Sequence, residues 1–255
     1  MNKIPYIHLF LCALLISGMT ACKEPAKVVP PVVVKDLLAV EVYPHFGNDL
    51  LYLDSTYHTN EGYDVQFTDL KFFACNWKNG SEILVEAALF DFRESGNQFI
   101  RVEKKPEGFS TLQGSLGVEA GLNHADPTAF PNDNVLNITN AGGMHWGWNP
   151  GYIFIKVEAK VDTIPDGVAL FDHNVVLHVG TDAFLQAVSF PLVTWTYAGE
   201  KHYSAKMNLD MKRFLSDGTQ SIDLKTEHIS HSGAGQEALS LKAIQNFKSA
   251  LTFIN

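Results

Sequence analysis

What this chain has little of excludes a good deal. Only three of its 255 residues are cysteine. Cys12 lies inside an apolar leading stretch and Cys22 at its end, so only Cys75 belongs to the body of the chain. A lone thiol forms no internal disulfide and no multi-cysteine zinc site. Charged side chains make up 18%, too few for a coiled coil, while 46% apolar residues and 11% aromatics describe a globular interior and not a disordered chain. Basic side chains number 19 against 28 acidic, with no Lys/Arg cluster, so the footprint for grasping a nucleic-acid backbone is missing. The usual catalytic signatures are missing too: there is no GxSxG elbow, Walker A loop, HExxH or strand-borne GxGxxG. The expectation is a binding protein and not an enzyme.

The longest apolar stretch, Tyr6 to Met19 behind Lys3, is too short to span a bilayer as a stable helix and reads as an export signal over residues 1–21. Met19-Thr20-Ala21-Cys22 resembles the lipobox of bacterial lipoproteins, which implies lipidation at Cys22. Residues 22–36, with three prolines and no aromatic, read as an extended tether behind the anchored cysteine. The expected location is the cell envelope, on a bacterial membrane, either periplasmic or at the outer surface. Residues 37–255 read as one domain.

Strand patterns dominate that domain. Leu38, Val40 and Val42 alternate with Ala39, Glu41 and Tyr43, and Ile153 through Val161 alternate the same way. Further β-rich runs cover Tyr63–Trp77, Ile83–Phe92, Gln98–Val102, Phe109–Leu116, Val175–Val179, Leu185–Val193, His202–Met211 and Thr219–Leu224. A turn or two of helix fits 117–124. A longer helix fits Gln236–Phe253, where Leu239, Ile244, Phe247 and Leu251 recur at helical spacing. Many strands and few helices predict an all-β, two-sheet sandwich with a short C-terminal helix.

What is present in unusual supply is histidine and tryptophan. Alternation past Pro44 puts His45 on the face of Glu41 and Tyr43. His178 sits among Val175, Val176, Leu177 and Val179, and a buried imidazole there needs hydrogen bonds on both nitrogens, or a metal on one and an acceptor on the other. Residues 142–152 set His145, Trp146 and Trp148 among glycines, with the two indoles on one side of an extended chain. His228 and His231 precede the C-terminal helix in a loop-like stretch, and His58, His124, His173 and His202 read as surface. Cys75, inside an apolar run, reads as a small buried filler. A site of imidazoles without thiolate suits copper or zinc better than calcium or magnesium, and an indole can offer its π-face to a bound cation.

These segments together resemble the MbnP family, bacterial copper-binding proteins similar to the copper-binding surface proteins CorA and MopE of methane oxidisers. The segments are Leu50-Leu51-Tyr52-Leu53-Asp54 after a strand with a histidine, the run from Gln66 to Asn76, the block from Trp146 to Tyr152, and Leu177-His178-Val179-Gly180. His231-Ser232 before a helix containing Asn246-Phe247 completes them. The resemblance implies an extracytoplasmic β-sandwich that holds a single copper ion, with His45 and His178 as first ligands and His231 and His145 behind them. It also implies oxidation of Trp146 or Trp148 to kynurenine by a di-haem cytochrome c peroxidase-like partner. Two other readings compete. One is an anchored sandwich that binds carbohydrate or protein through Trp146, Trp148, Trp195 and Tyr197. The other is an enzyme built on a His–Asp pair such as Asp172-His173.

Overall fold

A computed structural model describes residues 35–255 except 148–150 and 165. The expected export signal, Cys22, most of the expected tether and Trp148 lie outside the described residues. In chain order the strands are β1 (Leu37–Phe46), β2 (Asp49–Leu50), β3 (Thr56–His58), β4 (Asp64–Asn79), β5 (Glu82–Asp91), β6 (Gln98–Val102) and β7 (Leu112–Leu116). There follow β8 (Ile153–Asp162), β9 (His173–Gly180), β10 (Gln186–Phe190), β11 (Thr196–Gly199), β12 (His202–Asp210), β13 (Ile229–Ser230) and β14 (Leu251–Phe253). They form two sheets, as the alternating patterns predict.

The six-stranded sheet runs β11-β12-β1-β2, with β14 on β12 and β6 on β1. In β1 every second residue from Leu38 to Phe46 is buried, so Glu41, Tyr43 and His45 face outward. The eight-stranded sheet runs β10-β7-β4-β8-β9-β13, with β3 and β5 also on β4. Val40, Val42 and Phe46 of one sheet and Val175, Leu177 and Val179 of the other belong to one core. The C-terminal helix (Glu237–Ala250) packs into that core, where Phe247 meets Phe72 and Phe214.

Two local departures set up the outer face of the eight-stranded sheet. First, the β4–β8 register slips between Phe67 and Asp69. Val65 and Phe67 are buried before this bulge, and Leu70 and Phe72 after it. One inserted residue thus turns Asp69 and Lys71 outward, a bulge's usual effect on side-chain aim. Second, β4 is buried on both faces from Phe72 to Cys75, because the excursion between β7 and β8 folds over it. Phe73, Cys75, Val118, Leu136, Met144 and Tyr152 form a second apolar cluster there. Cys75 is a fully buried free thiol, and burial pushes it up to about 12, so it stays protonated and offers no thiolate.

Two expected elements differ. Thr219–Leu224 forms no strand, because Asp217 Oδ1 accepts the Thr219 and Gln220 N–H groups and folds the chain into a side-chain-closed turn. The C-terminal helix stops at Ala250, since Leu251 turns extended and the chain pairs with β12 as β14.

Candidate metal centre

On the outer face, four strands line up a row of polar side chains in register. Asp91 of β5 pairs with Lys71 of β4, Lys71 with Lys156 of β8, and Lys156 with His178 of β9. Asp69 and Glu158, opposite each other in the adjacent row, interleave with the cations. Lys71 Nζ lies 2.7 Å from Asp91, Lys156 Nζ 2.8 Å from Asp69 and 3.1 Å from Glu158. His178 Nε2 ends the chain of contacts 2.8 Å from Glu158 Oε1. Burial works against the Lys156 charge, yet Asp69 and Glu158 hold its ammonium above the ordinary range. Burial likewise raises Glu158, but hydrogen bonds from His178 and Lys156 outweigh it and leave the carboxyl below its ordinary value. Glu158 is therefore an anion.

That anion decides the tautomer of His178. A carboxylate only accepts, so Nε2 carries the proton and donates. The His178 side chain is 14% exposed. Burial first, with the nearby Lys156 and His231 adding to it, lowers the imidazole below its ordinary pKa despite Glu158. The ring is thus neutral, with a lone pair on Nδ1. A ligating imidazole needs this state: one nitrogen fixed by an acceptor, the other free to bind.

The parallel pairing of β13 with β9 sets Ser230 opposite Leu177 and brings the next residue, His231, to His178. The two rings meet edge to face, centroids 5.1 Å apart. Ser232 Oγ accepts the Gly180 N–H at 3.1 Å and fastens this crossing. Gly180 follows His178 on the same side of β9, about 7 Å along the strand. Its missing side chain is filled by indole: a Cβ there would lie 2.6 Å from Trp146 Cζ3 and 2.4 Å from the Tyr152 carbonyl oxygen. Trp146 thus packs directly on the strand beside His178.

The indole is held by a closed loop. The Trp146 N–H bonds to the Gly151 carbonyl at 3.0 Å, and the Ile153 N–H to that of Met144 at 2.8 Å. Gly151 has φ +87°, and a Cβ there would strike Asn123. Buried Asn123 accepts the Tyr152 N–H and donates to Asp182, both at 2.8 Å.

The remaining sequence candidates lie elsewhere. His45 faces outward as the alternation predicts, but from the other sheet, with the shared core between it and His178. One ion cannot be held by both. Its Nδ1 donates to the Gly47 carbonyl at 2.6 Å and lies 4.0 Å from Asp210. His145 spends its Nδ1 lone pair on the Gly147 N–H at 3.0 Å and stands edge-on to Tyr152, so it holds the loop. Tyr197 is exposed and meets Tyr203 at a tilt on the six-stranded sheet, and Trp195 Nε1 donates to the Phe109 carbonyl. With Trp146 on the opposite sheet, the described aromatics form no common platform.

Sequence reasoning missed Glu158 and the row behind it. It also missed the pairing of His173 with His228, whose ring centroids are 4.1 Å apart. The alternation of β8 sets Glu158 on the same face as Lys156 and was the available signal. The β9–β13 pairing joins residues some fifty positions apart, and no local pattern announces it.

Fold and site define a β-sandwich whose outer face presents an oriented imidazole pair beside an indole. The MbnP family model matches residues 35–233, so the chain belongs to the MbnP family. Among solved structures, MbnP from Methylosinus trichosporium aligns at 16% identity over 78% of this chain and 83% of that one, with a TM-score of 0.49. No curated protein matches the chain.

Proposed function

We propose that this chain is an extracytoplasmic protein, lipid-anchored through Cys22, that holds copper at His178 and His231 for acquisition or handling, without turnover of a substrate. The observation that carries the reading is the Glu158–His178 hydrogen bond, which leaves a neutral imidazole with its Nδ1 lone pair unspent and a second histidine ring 5.1 Å away, centroid to centroid. Membership of the MbnP family supports copper as the ion. The donor chemistry agrees: imidazoles suit copper, and the only described thiol is buried and protonated. The described residues hold no cluster of three or more His, Cys, Asp or Glu fit for a metal, so the protein's share of the site is the two imidazoles.

In this reading the indole against Gly180 shields the site, and Trp146, with Trp148 as second candidate, is the residue a di-haem cytochrome c peroxidase-like partner oxidises to kynurenine. Copper titration of the full chain against a competing chelator tests the ligands. The His178→Ala/His231→Ala variant is expected to lose the outer-face ion and His45→Ala to keep it. Unchanged copper binding in the double variant overturns the proposal.

A further inference from the structure

We propose that Lys156 is a specificity-determining residue of the outer-face site, which by offsetting the Glu158 charge makes the site select monovalent over divalent copper. This inference rests on the proposed seat at His178 and His231 and concerns which copper ion that seat holds.

The lysine stands where such a role requires it. Strand register sets Lys156 of β8 directly opposite His178 of β9. Its Nζ lies 3.1 Å from Glu158 Oε1, the same oxygen that accepts the His178 Nε2–H at 2.8 Å. One carboxylate oxygen thus answers to an imidazole and an ammonium together. Asp69 holds the ammonium from its other side, with Oδ2 at 2.8 Å, while Asp69 Oδ1 accepts the Leu70 N–H at 3.0 Å. The Lys156 side chain is 16% exposed, so salt screens its charge poorly. Asp69 and Glu158 keep it an ammonium against burial.

Charge and donor set point the same way. Asp69 and Glu158 flank Lys156, so this cluster leaves one negative charge beside the imidazole pair. Without the ammonium there would be two, and each further negative charge favours a divalent over a monovalent ion by Coulomb's law alone. The lysine also keeps Glu158 engaged. Divalent copper favours a tetragonal set of nitrogen and oxygen donors, and the described residues gather no cluster of three His, Cys, Asp or Glu fit for a metal. Glu158 is the carboxylate at hand, and its bonds to His178 Nε2 and Lys156 hold it on the Nε2 side of the ring. Closed-shell monovalent copper makes no such geometric demand.

Lys71 supplies an internal control. It is a similarly buried lysine, 12% exposed, in the same row, but it pairs with Asp91 and lies one strand further from β9. A charge acting on the ion should matter less from there, whereas a packing role would make the two lysines alike.

The test titrates the full chain with Cu(I) and, separately, Cu(II) against competing chelators, and measures the reduction potential of the loaded protein. Wild type should hold Cu(I) the more tightly, a result that needs no variant to fold. Lys156→Met should shift the affinity ratio toward Cu(II) about tenfold, which lowers the potential by about 59 mV. Asp69→Asn removes a negative charge from the same cluster and should shift the ratio the other way. Damage to the fold would move both variants in one direction, so opposite signs identify the charge effect. Lys71→Met should shift the ratio less than Lys156→Met, and equal shifts would overturn the assignment. A wild type that prefers Cu(II), or a Lys156→Met ratio that stays unchanged while both ions bind, overturns this inference and leaves the copper seat standing. Copper binding that survives His178→Ala/His231→Ala overturns the seat itself, and this inference with it.

Discussion

Strands β1 and β9 each carry a histidine at an outward position of a strand whose alternate residues are buried in the same core, yet the two imidazoles keep different company. His45 turns its Nδ1–H back onto the carbonyl of Gly47, two residues on in its own chain. His178 gives its Nε2–H to Glu158 on the neighbouring strand and meets His231 across a parallel pairing. The first bond fixes a turn, and the second fixes the tautomer and orientation of an imidazole. Position on an alternating strand thus says which way a histidine points. Which nitrogen remains free is set by the cross-strand partner, and that partner depends on sheet order.

The comparison can be broken at several points. Below the site, Leu177 is fully buried, and Leu177→Ala should cost about 2–5 kcal/mol, measured by urea unfolding. A much smaller cost would mean that β9 is not anchored as described. Gly180→Ala forces a Cβ into the Trp146 ring and the Tyr152 carbonyl, and should cost about 1–3 kcal/mol of overpacking with a change in tryptophan fluorescence. An unperturbed indole would remove Trp146 from the neighbourhood of His178.

Glu158→Gln keeps the shape but lets Nε2 lose its acceptor charge. Copper affinity should fall about 10- to 100-fold with the melting profile little changed, whereas no change in affinity would make the Glu158–His178 bond incidental. The metal-free protein should also respond to acid in two windows. Native His178 resists protonation, so its contribution is complete above the ordinary value of 6.5 and fades as pH falls through its depressed native pKa. Glu158, also depressed, contributes fully above 4.5, and that contribution fades lower down. Urea midpoints measured from pH 7 to 5 should therefore fall less steeply in His178→Gln than in wild type, and equal slopes would count against a neutral, buried His178.

Much of the architecture was legible from alternation, and the reason is physical. A half-buried strand writes its two faces into sequence with period two, as Leu38–Val42 and Ile153–Val161 do. The bulge between Phe67 and Asp69 was not legible, because an inserted residue leaves composition unchanged while reversing every later side chain; read without it, Lys71 would point into the core. The outward aim of His45 could be read, as could the need of His178 for partners. Their separation by the core could not, since it depends on which sheet each strand joins. His228 and His231 read only as part of a loop-like stretch, His231 became a ligand candidate through the resemblance, and His173 read as solvated surface because the ring it meets comes from a distant part of the chain.

The most direct measurement is an anomalous diffraction map at the copper edge from crystals of the copper-loaded full chain. A peak between His178 and His231, beside Trp146, is the predicted result. A peak at His45 with none at His178 would contradict the account.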